Sequence, residues 1–161
     1  MLISSAEVAD RVRGVAPDVA GRLRAVVPRA GASESIAAGA LRIHVLGIRH
    51  NPTRRLPQQH VGFLIEGAGA TALHVGDADP QPDNFGMLAS LPPVDVALVP
   101  YWFLTSEPTR TRVVEAVIRG RNLVGLHLPA GEAADARRAL ANARVDATLL
   151  DTPGLVPIRR R

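Results

Sequence analysis

The stretch His74-Val75-Gly76-Asp77 decides the fold of this chain, because it places an aspartate directly after a hydrophobic strand and a glycine. The strand is predicted over Ala70 to Val75, and Gly67-Ala68-Gly69 predicts a hairpin turn from a preceding strand over Val61 to Glu66. A carboxylate at the C-terminal end of a strand lies at the rim of a sheet, where ligands are commonly bound. Gly76 allows a backbone or a ligand to approach closely.

Two histidines follow predicted strands in the same way. His50 ends the run from Leu41 to Arg49, and His127 ends the run from Asn122 to Leu126. Histidine and aspartate together form a donor set that suits zinc, iron or manganese. The sequence therefore predicts a metal site at the rim, built from His50, Asp77 and His127.

The composition of the chain excludes several classes of protein. Its 161 residues are 47% hydrophobic, with a mean hydropathy of +0.10, which indicates one domain over residues 1–161 with a substantial core. No apolar run approaches the roughly 20 residues of a membrane span, and no leader is evident, so a cytoplasmic location is expected. Cysteine is absent and all 19 basic residues are arginine, which excludes disulfides, thiolate metal sites and lysine-based catalysis.

Nucleic-acid binding is not favoured by this composition. The net charge is only +4 and aromatic residues make up 3% of the chain, so few rings can stack on bases. The only support for a relative that processes RNA or DNA is the arginine clusters Arg54-Arg55 and Arg159 to Arg161. A solvated C-terminal tail explains the second cluster better.

The pattern along the chain predicts a layered α/β domain. A strand end at Met1 to Ile3 is followed by a helix that begins at Ser4-Ser5, with Val8, Val12 and Val15 as its inward face. Short strands fill Leu23 to Glu66. In the second half, strands and helices alternate. Helices are predicted over Asp83 to Leu91, Thr109 to Arg119 and Glu132 to Ala143. Strands are predicted over Asp95 to Val99, Leu123 to Leu126 and Asp146 to Leu150.

The chain resembles the metallo-β-lactamase-fold hydrolases in a set of features that follow one another in order. They are His50, the strand Val61 to Glu66, the stretch Leu73 to Asp77, the strand Asp95 to Pro100 and the pair Leu126-His127. The resemblance covers roughly Met1 to Ile158 and implies an αββα sandwich. It also implies metal-dependent hydrolysis with zinc, or iron or manganese, as one or two ions. In that family two metals activate a shared water and polarise the scissile group.

The resemblance assigns roles to the strand-end residues. Asp77 corresponds to the aspartate that bridges two metals, and is thereby the catalytic carboxylate. His50 corresponds to the third metal-binding motif and His127 to the last histidine ligand. His60, across the loop Asn51 to Gln59, is an alternative ligand or a residue that orients one.

The family's His-x-His-x-Asp-His motif has no counterpart here, because no histidine precedes His44. The chain therefore resembles the C-terminal two-thirds of such a protein, incomplete at its N-terminus, and its metal site is expected to be incomplete, with weak metal binding or none. The alternative is a non-catalytic α/β domain that acts through assembly. In that case an exposed sheet edge would pair with a second copy or a partner chain.

Other candidate residues carry weaker signals. Tyr101-Trp102 follows Pro100 at a strand end and forms either loop packing or a wall that faces a small-molecule substrate, whose identity the sequence does not give. His44 and His74 lie within strands and are predicted to be structural histidines. Asp79 and Asp83 are predicted to belong to a turn and a helix cap.

Overall fold

The computed structural model describes residues 1–51 and 60–151. Nine strands are found in this part of the chain: β1 Leu2–Ser5, β2 Leu23–Val26, β3 Ser33–Ala38, β4 Leu41–Gly47, β5 Val61–Gly67, β6 Ala70–His74, β7 Val96–Pro100, β8 Asn122–Leu126 and β9 Ala147–Leu149. The helices are α1 Ala6–Val15, α2 Tyr101–Thr105, α3 Glu107–Thr109 and α4 Ala133–Asn142, together with 3₁₀-helical segments Pro17–Arg22 and Pro82–Ser90 and a π-helical segment Arg110–Ile118.

The strands form a seven-stranded sheet in the order β3-β4-β5-β6-β7-β8-β9 and a two-stranded parallel sheet of β1 and β2. Strands β4 and β6 are both antiparallel to β5, and β6, β7, β8 and β9 are mutually parallel neighbours. Five strands of the large sheet therefore run in one direction. Their C-terminal ends lie along a single edge, which we call the strand-end rim.

The layers of the fold follow from the face of the large sheet on which each side chain lies. Successive residues of a strand point to opposite faces, so Leu64 enters the large core beneath the helices while Phe63 packs against a second, smaller core. That smaller core joins Val26 and Ile3 of the two-stranded sheet to the other face of the large sheet. Helix α1 lies against the small sheet, with Ala9 buried. The predicted α/β fold with an αββα layering is confirmed.

The hairpin at Gly67 to Gly69 is also confirmed. Gly67 pairs with Ala70, and the two loop residues Ala68 and Gly69 have φ of 50° and 74°. Two positive φ angles define a type I′ turn, whose twist matches that of the strands it joins. This turn sets the register that brings Leu73 beside Leu64 in the large core.

Some local predictions are wrong in detail. Ser5 caps α1 as expected, accepting a hydrogen bond from the Val8 N–H at 3.4 Å, but Val8 and Val15 are 48% and 83% exposed. The buried residue of α1 is Ala9, and the helix packs against the small two-stranded sheet. Asp83 lies in the first turn of the segment Pro82–Ser90 rather than at its cap, which is Gln81.

The predicted helix over Thr109 to Arg119 is present but is largely π-helical. The Arg119 N–H donates to the Val114 carbonyl at 2.7 Å, five residues earlier, and Arg119 has φ of 54°. Val113, Val114 and Ile118 are buried in this segment, and Val117 is half-buried. Adjacent Gly120 allows the turn to approach the sheet, since a Cβ there would lie 2.7 Å from that of Ala97.

No helix among residues 1–51 and 60–151 is both long and apolar enough to cross a membrane. The arginine clusters Arg54-Arg55 and Arg159 to Arg161 lie outside the described residues, as does most of the predicted loop Asn51 to Gln59.

Gly47 ends β4 where the backbone of Arg29 crosses it. A Cβ at Gly47 would lie 2.1 Å from the Arg29 carbonyl oxygen, and the Gly47 carbonyl also accepts from the Gly31 N–H at 2.8 Å. We therefore expect Gly47→Ala to lower the free energy of unfolding by about 1–3 kcal/mol, because backbone rather than a flexible side chain must move. Urea unfolding followed by circular dichroism measures this.

Gly14 provides the matched control for Gly47. It lies in α1, and a Cβ added there would have nothing within 4 Å, so Gly14→Ala is expected to be neutral or stabilising by up to about 1 kcal/mol. Equal effects of the two substitutions would contradict a steric role for Gly47.

Candidate functional site

The centre of the strand-end rim is a pair formed by His50 and Asp77. The loop after β4 and the loop after β6 meet in an isolated antiparallel bridge between His50 and Ala78. His50 Nε2 lies 3.3 Å from Asp77 Oδ2, and His50 Nδ1 lies 2.7 Å from the Asn51 carbonyl oxygen. Because the carbonyl can only accept, Nδ1 carries a proton, and in the neutral ring Nε2 presents its lone pair beside the carboxylate.

The two loops are held together by Asn84, from the segment Pro82–Ser90. The Asn84 side-chain oxygen accepts the Arg49 N–H at 2.7 Å, and its amide nitrogen donates to the Arg49 and Asp79 carbonyls at 3.1 and 2.9 Å. The residue is 2% exposed, so these bonds are shielded from water. We call the set of Asn84 hydrogen bonds the clamp. Two direct backbone hydrogen bonds also join the loops, from the Asn51 N–H to the Asp77 carbonyl and from the Asp79 N–H to the Arg49 carbonyl.

His60 enters the rim at the start of β5, between the strands that carry His50 and Asp77. Its Nε2 donates to the Val75 carbonyl at 3.0 Å, and its ring meets that of His50 edge-on with centroids 5.3 Å apart. Gly76, with φ of 58°, makes room, because a Cβ there would lie 2.8 Å from His60 Cε1. Burial lowers the pKa of His60, and His50 and His127 lower it further.

His127 lies at the other end of the rim, after β8. It has φ of 57°, a conformation that costs a non-glycine residue about 1–3 kcal/mol and is retained only where the surroundings enforce it. Its ring lies 6.0 Å from that of Trp102. His74, at the end of β6, is exposed; burial of part of its ring lowers its pKa, as do His127 and His60.

Tyr101 and Trp102, the aromatic pair after β7, have different contacts. The Tyr101 hydroxyl donates to Glu132, just before α4, and this hydrogen bond raises the pKa of Tyr101. Trp102 packs against the large core, and its buried indole N–H has no acceptor among the described residues. Both side chains are half-buried at the rim. Contact with a substrate stays a prediction for both.

The donors at the rim fit a metal ion in part. Two ligands about 2.1 Å from a tetrahedral ion lie about 3.4 Å apart, which is close to the separation of His50 Nε2 and Asp77 Oδ2. Among residues 1–51 and 60–151, however, no three His, Asp or Glu side chains stand together as a metal-binding group. His127 follows β8, two strands from β6, and it lowers the pKa of His60, which contacts His50. Ligation by all three residues stays a prediction.

The sequence anticipated most of the rim but missed two of its members. It placed His50, Asp77 and His127 at strand ends, and His60 near His50. His74 was expected to be a structural histidine; its Nδ1 does accept the Gly76 N–H at 3.1 Å, but the ring is exposed at the rim. Asn84 gave no signal, because an asparagine in a turn-rich segment is ordinary. His44 is buried and both its ring nitrogens have hydrogen-bond partners, as a structural histidine would have.

Comparisons with known proteins agree with this geometry. The family model of the beta-lactamase superfamily domain matches residues 3–148, and the chain therefore belongs to the beta-lactamase superfamily, with a metallo-β-lactamase-like fold. No curated protein matches the chain.

Two solved structures share the fold. A candidate metal-dependent hydrolase from Parabacteroides distasonis ATCC 8503 matches with a TM-score of 0.61 and 12% identity, over 92% of this chain and 63% of that one. A possible metal-dependent hydrolase from Veillonella parvula DSM 2008 matches with a TM-score of 0.57 and 14% identity, over 80% of this chain and 56% of that one. The chain thus spans about three-fifths of the length of these structures.

Replacing Asn84 tests whether it holds the rim together. Asn84→Leu keeps the volume but leaves the Arg49 N–H and two carbonyls without this partner, so we expect a loss of about 2 kcal/mol or more in the free energy of unfolding. Chemical denaturation measures the loss. Asn142→Ala, on the exposed surface of α4, is the control and should stay within about 0.5 kcal/mol. A comparable result for the two would show that the clamp contributes little.

Proposed function

We propose that this protein is a metal-dependent hydrolase that acts at the strand-end rim. The observation that carries the proposal is the His50–Asp77 pair, in which the imidazole nitrogen Nε2 and a carboxylate oxygen lie 3.3 Å apart. The Asn51 carbonyl orients the imidazole, as is usual for a metal-binding histidine. Membership of the beta-lactamase superfamily, and the names of the two similar structures, favour the same chemistry.

His50 and Asp77 would hold an ion, with His127 as the third ligand and His60 as the alternative. Zinc is the first choice for this donor set, with iron or manganese next. When bound, such an ion supplies Lewis acidity toward a carbonyl or phosphoryl oxygen. The chain itself contributes the fixed tautomer of His50, the neutral state favoured for His60, and a wall formed by Tyr101 and Trp102.

A substitution at Asp77 separates metal binding from architecture. Asp77 is half-buried and its carboxylate lies against His50, so Asp77→Asn in chelator-treated protein should change the free energy of unfolding by less than about 1 kcal/mol. Any rise in melting temperature that Zn²⁺ gives the wild type should disappear in the variant. Thermal melts with chelator and with added Zn²⁺ measure both effects.

Asp18→Asn, on the exposed segment Pro17–Arg22, is the control and should keep the response of the wild type to zinc. A large loss of stability in metal-free Asp77→Asn would show that Asp77 is architectural. No stabilisation of the wild type by zinc, iron or manganese would remove the proposed metal dependence.

A non-catalytic role through assembly is the second candidate, and one surface favours it. An apolar groove of about 580 Å³ lies between β1 and the large sheet, lined by Leu2, Ile3, Leu41, Ile43, Phe63 and Ile65. The described residues that line it include no charged side chain, and Leu41 is 43% exposed. Apolar side chains of this kind are complementary to a second copy of themselves, so a second copy of this chain is the occupant we expect.

Leu41→Glu should convert such a dimer to a monomer, because it places a charge in the apolar contact. Light scattering coupled to size exclusion, over a range of protein concentrations, measures the mass. Val15→Glu, on exposed α1 outside the groove, should leave the dimer intact. A wild type that is monomeric at every concentration would exclude assembly through this surface.

A further inference from the structure

A second group of reactive side chains lies away from the rim, on the outer strands β3, β4 and β5. Ser35 Oγ lies 2.8 Å from His44 Nδ1, and His44 Nε2 lies 2.5 Å from Glu66 Oε1. These hydrogen bonds join a hydroxyl through an imidazole to a carboxylate. We refer to the three residues as the Ser35–His44–Glu66 relay.

The direction of each hydrogen bond follows from what its partners can donate. An ionised carboxylate only accepts, so His44 Nε2 carries the proton and donates to Glu66. The neutral ring then has a lone pair on Nδ1, which accepts the Ser35 hydroxyl hydrogen. A base held in one tautomer by an acid, and bonded to a hydroxyl, is the arrangement that activates a serine nucleophile.

The three residues of the relay differ in their exposure to solvent, as nucleophilic catalysis requires. His44 is 5% exposed, whereas Ser35 is exposed and Glu66 is half-buried. The base is therefore shielded by the sheet, and the residue that carries the hydroxyl lies on the exposed outermost strand. The relay shares no residue with the rim.

The backbone of Ser35 offers a donor beside its hydroxyl. β3 is the outermost strand of the large sheet among the described residues, and Ser35 lies directly opposite His44. The Gly47 N–H bonds the Ala32 carbonyl at 2.9 Å, and alternation along the ladder then puts Ser35 in a non-hydrogen-bonded pair. Its N–H points away from the sheet, where it can donate to an oxyanion.

A groove adjoins the acid end of the relay. It is lined by Glu66, Arg42, Thr71, Asp95 and Arg121 among others, and its volume is about 610 Å³. This volume suits a small organic molecule. Its charged groups are paired, with Arg42 lying 3.8 Å from Glu66 and Arg121 lying 3.0 Å from Asp95.

We propose that the Ser35–His44–Glu66 relay is a metal-independent esterase site for small carboxylic esters. Ser35 Oγ attacks the acyl carbon as its proton passes to His44 Nδ1. The C–O bond to the alcohol then breaks, and the alcohol takes that proton from His44. Water attacks the acyl-serine by the same route, which releases the carboxylic acid and restores the Ser35 hydroxyl.

The absence of cysteine from the chain allows a direct test of the base. Ser35→Cys introduces a single thiol beside His44, and Ser33→Cys introduces one two residues earlier on the same strand. Iodoacetamide should alkylate the thiol at position 35 at least about fivefold faster than the thiol at position 33 at pH 6, because His44 stabilises the thiolate. Equal rates and equal pH profiles in the folded proteins would overturn the proposal.

The wild-type protein should also react with diisopropyl fluorophosphate in the presence of a chelator, with the label on Ser35 by mass spectrometry. Hydrolysis of p-nitrophenyl acetate should depend on the same residue. It should be lost in Ser35→Ala and retained in Ser33→Ala. Unlabelled Ser35, or hydrolysis that survives Ser35→Ala, would refute the site. Because the chelator is present throughout, these outcomes are independent of metal-dependent activity at the rim.

Discussion

The amide of Asn84 joins the loop after β4 to the loop after β6, and the arrangement of the rim depends on it. Two strands separated by β5 end in these loops, each of which carries one half of the His50–Asp77 pair, and direct backbone hydrogen bonds between the loops act together with the amide. The amide satisfies backbone groups on both loops at once and does so out of contact with water, where an unmade hydrogen bond costs most. Asn84 thereby keeps His50 and Asp77 close together, although its own hydrogen bonds go to the backbone of the nearby residues Arg49 and Asp79.

The directions of the strands explain why donors gather at one edge. Because β4, β6, β7 and β8 all run the same way, every residue that follows them emerges on the same side, and His60 joins them by preceding the antiparallel β5. The same directions place the turn at Ala68-Gly69 and the groove beside Glu66 at the opposite edge. The Ser35–His44–Glu66 relay and the strand-end rim are therefore separate on the sheet, and each can be altered without the other.

The two faces of the large sheet are covered unequally. The helical segments bury one face in a continuous core, which includes the aromatic contact between Phe85 and Phe103. On the other face only a two-stranded sheet and α1 are present among the described residues, and apolar side chains such as Leu41 remain partly exposed. The similar structures are longer than this chain, and they share with it the layered arrangement rather than the detailed sequence.

Local sequence determined the strands, the turn and the strand-end residues, since these depend on side-chain periodicity and on backbone conformation. Short hydrophobic runs identified β5 and β6, Gly67-Ala68-Gly69 identified the turn, and the position of Asp77 after Val75-Gly76 identified the rim. The inward face of α1 was wrong, because burial there is decided by the small sheet against which the helix packs and not by valine spacing.

Only the tertiary structure decided which distant residues meet. It joined Asn84 to Arg49 across 35 positions and His44 to Glu66 across 22, and it left His127 two strands from Asp77. Such contacts depend on strand order and direction, which are properties of the whole sheet. A sequence specifies which side chains lie at the ends of its strands through local chemistry, but the distances between them are fixed only when the strands have paired.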